Sequence, residues 1–163
     1  PTVAPFRVRE LLGRPPLVAI PSSLLHSVVP RLFRVPPRVR TLLAFVLCAA
    51  PDEHGIHRLI GDTGTSRRSI DRWLHRSGLR SFATTERVAR VARSWEHLSQ
   101  ERLTLEAVAV LAGFGAARTL TSAWSATVGL SPRRAGRMMS SHEVLQRLVA
   151  SIESPRPASS ASH

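Results

Sequence analysis

Apolar residues recur three and four positions apart over most of the chain, with polar residues between them, and that spacing predicts helices rather than strands. Between residues 38 and 140 it marks about seven of them, at 40–50, 55–62, 66–77, 84–99, 104–112, 116–128 and 132–139. In the fourth, Val88, Val91, Ala92, Trp95 and Leu98 keep helical register on one face, while Arg87, Arg90 and Arg93 tend to the other. Thr104 can cap the fifth helix, Gly78 and Gly129 stop the third and sixth, and Pro132 suits a first helical turn. Further on, Val144, Leu145, Leu148, Val149 and Ile152 predict one more amphipathic helix, packed on the core, followed by a Ser/Pro/Ala tail expected to be disordered from Ser154. Upstream, residues 1–37 are rich in proline and arginine, with a β-like run from Leu17 to Ile20 and a short helix at 22–29 ended by Pro30. They read as a linker or the remnant of an upstream regulatory domain, with Pro36 and Pro37 at the junction, and a start at Pro1 suggests a piece of a longer protein. The expected class is all-α.

Within this pattern, residues 64–73 read as the turn and reading helix of a helix-turn-helix. Gly64 supplies a left-handed turn, Ser66 can accept a backbone N–H at the next helix start, and Ile70 with Trp73 forms a docking face. Arg67, Arg68, Asp71 and Arg72 lie opposite, as an element held in a major groove requires. An ordinary surface helix with solvated arginines is the alternative. A second copy follows, in which a short alanine-rich helix runs into Gly113, and Leu120 with Trp124 repeats the apolar residue and tryptophan. The two units are joined by the long helix at 84–99.

Residues 105–137, reading LEAVAVLAGFGAARTLTSAWSATVGLSPRRAGR, resemble the signature of the AraC/XylS family of bacterial transcription regulators. The marks are Ala109, Gly113-Phe114, Trp124 and Gly129-Leu130-Ser131-Pro132. Residues 56–98 are similar to that family's first unit and connecting helix, through Leu59, Gly64, Ser66-Arg67-Arg68, Ile70, Arg72, Arg87-Val88 and Ala92. The resemblance covers roughly residues 38–140 and implies two reading helices entering successive major-groove segments on one face of the duplex, about 34 Å apart. Ala135 and Gly136 replace an aromatic and an arginine common after the Ser-Pro, and residues 116–127 carry Arg118 alone as a cation. The second unit is therefore expected to contribute less.

Charge points the same way. The chain carries 23 Lys+Arg against 11 Asp+Glu, net +12, and every cation is arginine. An all-arginine set can also reflect a GC-rich genome, yet arginine remains the better bidentate reader of guanine. Eight arginines fall in residues 66–93 against Asp71 and Glu86, while residues 94–130 are close to neutral. Binding through such a patch should weaken steeply with salt.

Catalytic chemistry finds no constellation. His54 and His57 lie three apart with no third ligand of clear spacing, and no nucleophile elbow, phosphate-cradling loop or carboxylate pair occurs. No enzyme, metal or cofactor is expected. Cys48, amid apolar neighbours and without a nearby cation, reads as a small buried side chain rather than a redox sensor, and it excludes an intrachain disulfide. No apolar run is long enough to cross a membrane.

The expected function is sequence-specific binding of double-stranded DNA in transcription control, in the bacterial cytoplasm with the nucleoid. Ser66 opens the first reading helix, and Arg67, Arg68, Asp71 and Arg72 are the base-edge candidates, with Arg76 and Arg80 for phosphate. Arg118, Thr119, Thr121 and Ser122 form a weaker second set. RNA polymerase is a further candidate partner, and oligomeric state stays open. A sigma-like or transposase module, or a protein-interaction remnant that has lost DNA binding, are the other readings.

Overall fold

The three-and-four spacing becomes nine α-helices and one 3₁₀ segment in the computed structural model, which describes residues 20–49, 53–98 and 103–154. They are α1 (Ile20–Val28), the 3₁₀ segment (Val29–Arg34), α2 (Pro37–Ala49), α3 (Glu53–Thr63), α4 (Arg67–Arg76) and α5 (Phe82–Leu98). Then come α6 (Leu105–Leu111), α7 (Ala117–Val128), α8 (Pro132–Met138) and α9 (Ser141–Ile152). Seven of these, α2 to α8, are the helices expected between residues 38 and 140. The fold is all-α.

The fourth expected helix is more than a spacer. α5, 17 residues and therefore about 25 Å long, touches α1, α2, α4, α6, α7, α8 and α9. Val88, Val91 and Ala92 are buried as their spacing requires, but so are Phe82, Thr85, Ala89 and Ser94. A helix packed by seven others has no single apolar stripe. Small residues at positions 89, 92 and 94 let the neighbouring backbones approach closely.

The assignment of residues 1–37 to a linker or upstream remnant is corrected for the part described. Ile20, Leu24 and Val28 recur every fourth residue on α1, Leu32 and Val35 continue the stripe, and all five are at most 4% exposed. α1 packs on α2, α5 and α9. The short helix expected at 22–29 is α1, and what its prolines disguised is the packing. Pro21 lies in a first turn, where a missing N–H costs nothing, Pro30 sits at the start of the 3₁₀ segment, and Pro37 opens α2. Ile20, read as the end of a β-like run, begins a helix, while Leu17 to Ala19 lie outside the described residues.

At the other end, α9 is core, as expected, with Val144, Leu148 and Ile152 fully buried. Its start is fixed by a capping box in which the Ser140 N–H donates to Glu143 Oε2 at 2.7 Å and the Glu143 N–H donates to Ser140 Oγ. Ser154, placed in the disordered tail by composition, instead donates its N–H to Gly78 O at 3.0 Å; residues 155–163 lie outside the described ones. Here three segments meet. Arg31 pairs with the Glu153 carboxylate at 2.5 Å, Arg80 Nε donates to Glu153 O at 3.0 Å, and the Arg80 N–H donates to Ile152 O at 2.7 Å.

Cys48 differs from expectation too: it is exposed near the end of α2. Neighbouring protein pushes its thiol above the ordinary value, so exposure does not make it a reactive thiolate. Among the described residues no helix is long and apolar enough to cross a membrane.

Candidate nucleic-acid interface

The first unit is built as its sequence dictates. α3 ends into Gly64, whose φ of +64° lies in the left-handed region that side chains disfavour. Ser66 then caps α4, its Oγ accepting the Ser69 N–H at 3.2 Å. Ile70 and Leu74, one turn apart, are buried, and Trp73 is partly so. On the opposite side Arg68, Arg72 and Arg76 recur every fourth residue, all exposed, with exposed His75 beside them. None of these three arginines has an ion-pair or hydrogen-bond partner among the described residues. They form a row of free guanidinium groups.

Four other candidates of this unit have partners inside the protein. Ser66 uses its hydroxyl oxygen on the cap. Arg67 pairs with Glu86 of α5 and lies over the Phe82 ring, 5.3 Å from its centroid. Asp71 Oδ1 accepts the Phe82 N–H at 2.6 Å, satisfying one of the orphan donors that open α5 and placing negative charge where the helix dipole favours it. Arg80 belongs to the junction with Glu153. Asp71 and Arg67 thus fasten α4 to the central helix. Asp71→Ala is expected to lower stability by about 1–2 kcal/mol in urea unfolding. A loss below about 0.5 kcal/mol would mean that the Asp71 carboxylate does not hold the start of α5.

The second unit repeats the design with smaller side chains. α6 is capped by Thr104, whose Oγ1 accepts the Ala107 N–H at 3.2 Å, and ends into Gly113 at φ +81°. In α7, Leu120, Ala123 and Trp124 are buried. Trp124 Nε1 donates to Ser94 Oγ at 2.8 Å, Ser94 Oγ donates to Val91 O at 2.7 Å, and the Trp95 ring lies 5.8 Å from that of Trp124. An indole N–H buried this deeply needs such an acceptor. The exposed side of α7 presents Arg118, Thr119 and Ser122, none with a partner among the described residues. Thr121 drops out of the set: it is half-buried, and its hydroxyl donates back to Ala117 O at 2.9 Å.

The two units share one side of α5. Glu86, paired with the first residue of α4, also lines a groove of about 440 Å³ whose opposite wall is α7, through Thr119, Ser122, Ala123 and Ala126. Ala83, Arg87 and Arg90 complete the α5 wall. Glu86 was missed by sequence reasoning, which treats it only as a negative charge. Its spacing held the signal, because Phe82, Glu86 and Arg90 stand four residues apart on one stripe, with Ala83 and Arg87 alongside.

Comparison with family models, with curated proteins and with solved structures gives no match. The site rests on its own geometry. Among the described residues no group of three or more His, Cys, Asp or Glu side chains could hold a metal ion. The His54 side chain, half of the histidine pair spaced three apart, lies outside the described ones.

Proposed function

We propose that this chain is the DNA-binding part of a bacterial transcription regulator of AraC/XylS type, reading double-stranded DNA with α4 and, less strongly, with α7. The observation that carries the reading is the bridge through Glu86, which joins the α4 N-terminus to the groove walled by α7 and so sets both glycine-turned units on one side of α5. A row of three unpaired arginines on α4 supplies the electrostatics, and Arg68 and Arg72 have the reach for guanine O6 and N7. Arg76, one turn further, suits phosphate. On α7, Arg118 offers one cation to the second segment, and the Thr119 and Ser122 hydroxyls suit phosphate oxygens, a weaker and less discriminating set. RNA polymerase as a partner and a place in the nucleoid-containing cytoplasm go with this reading.

Selection of bound sites from random duplex tests it. The expected product is a motif with one strongly constrained segment, read by α4, beside a looser one about a helical turn away. Arg68→Ala or Arg72→Ala should relax a single position of that motif by about 1–3 kcal/mol. Equal loss on every sequence would reduce the arginine to a phosphate contact, and no enrichment over random DNA would end the proposal of specific reading.

A further inference from the structure

The groove between α5 and α7 carries more cationic chemistry than the fold needs. Arg87 is exposed and has no partner among the described residues. Arg90, also in the lining, is half-buried, and its Nε is buried with no acceptor, a costly state for a guanidinium N–H. Across the groove the Thr119 and Ser122 hydroxyls are likewise without partners among the described residues. One carboxylate enters, that of Glu86, and Arg67 already covers it from the α4 side. The charged lining is thus two arginines, Arg87 and Arg90, beside a carboxylate already paired outside the groove, and Thr119 and Ser122 set two hydroxyl donors on the facing wall.

We propose that this groove is a phosphodiester site in which Arg87 and Arg90 of α5, with Thr119 and Ser122 of α7, grip the DNA backbone between the two major-groove segments. The inference rests on the DNA-binding reading above and adds the central helix to the binding surface. Shape selects the occupant. The groove lies between α5 and α7, with Glu86 tying its α5 wall to the start of α4, and the part of a duplex that rises between successive major-groove segments is its sugar-phosphate ridge. A base edge lies too deep to reach it. Guanidinium and hydroxyl donors without a well-formed base-reading stripe fit phosphate oxygens, which carry no sequence information but fix register. Gripping the ridge at this point would set the spacing at which α4 and α7 enter the duplex.

The test compares the full chain with Arg87→Gln/Arg90→Gln, using both the selected site and random duplex across a salt series, together with phosphate-ethylation interference. The expected result is an equal fold-loss on both duplexes and a slope of log K against log salt that is shallower by about 0.9 for each phosphate no longer neutralised. Interference at the phosphates between the two protected major-groove segments should disappear, while that around the α4 segment stays. If the double variant unfolds, Arg87→Gln alone serves, since that side chain is exposed. Unchanged slope and unchanged central interference, with wild-type binding intact, would overturn the groove site and leave DNA reading standing. Absence of any salt-sensitive complex with wild type would overturn both.

Discussion

Trp124→Ala is expected to destabilise the protein by about 3–5 kcal/mol, a large share of the roughly 5–15 kcal/mol that holds a domain of this size together. The ring is fully buried, packs beside Trp95, and sends its N–H to Ser94. Truncation leaves a cavity where α7 meets α5, and the second unit has little else to fill it, because its other buried residues are mostly alanine, valine and leucine. Trp124→Phe keeps most of the volume and should cost far less, of the order of one hydrogen bond, about 0.5–1.5 kcal/mol. Urea unfolding measures both. A Trp124→Ala loss below about 1 kcal/mol would mean that α7 is not docked as described. A smaller m-value in the variant would indicate that the second unit comes apart separately from the first.

The second large effect concerns the segment before α2. Leu24→Ala should cost about 2–5 kcal/mol, because Leu24 is 0% exposed in a stripe that continues through Leu32 and Val35. Phe33→Ala, in the adjoining 3₁₀ segment and 67% exposed, should stay within about 0.5 kcal/mol. A linker would give two near-neutral variants, so the contrast decides whether α1 belongs to the cooperative unit. Equal small effects would detach it.

Why was the packing of α1 into the core illegible, when its helix was expected at 22–29 and seven helices between residues 38 and 140 could be placed to within about three residues? Periodicity carries helices such as α4, where Ile70 and Leu74 face in and arginines face out, and it is punctuated there by Gly64 and Ser66. Proline-rich sequence reads as breakage, and in 20–37 the prolines at 21, 30 and 37 instead occupy start positions that tolerate them. The site was legible in part for a related reason. Sequence shows which face of a helix carries charge, and Arg68, Arg72, Arg76, Thr119 and Ser122 indeed lie on the outer sides of their helices. It does not show what a charged side chain meets across a tertiary contact. Arg67 meets Glu86 and Phe82, Asp71 meets the start of α5, and Arg80 meets the end of α9, all through pairings 11 to 73 residues apart. Arg87 and Arg90 presented the converse difficulty. They looked like the solvated side of a connector, and only the approach of α7 makes them one wall of a groove.

The chain has no tyrosine and three tryptophans, so its near-ultraviolet emission comes almost wholly from indoles. Two of them, Trp95 of α5 and Trp124 of α7, form a close tilted pair where those helices meet, 38° between ring planes, whereas Trp73 stands by itself at the edge of α4. The fold thus carries separate optical labels. The coupled pair gives a circular-dichroism signature that vanishes when α7 leaves α5, and the solitary ring follows the docking of α4 against the core. One spectrometer can follow the two units separately on the same sample without a dye.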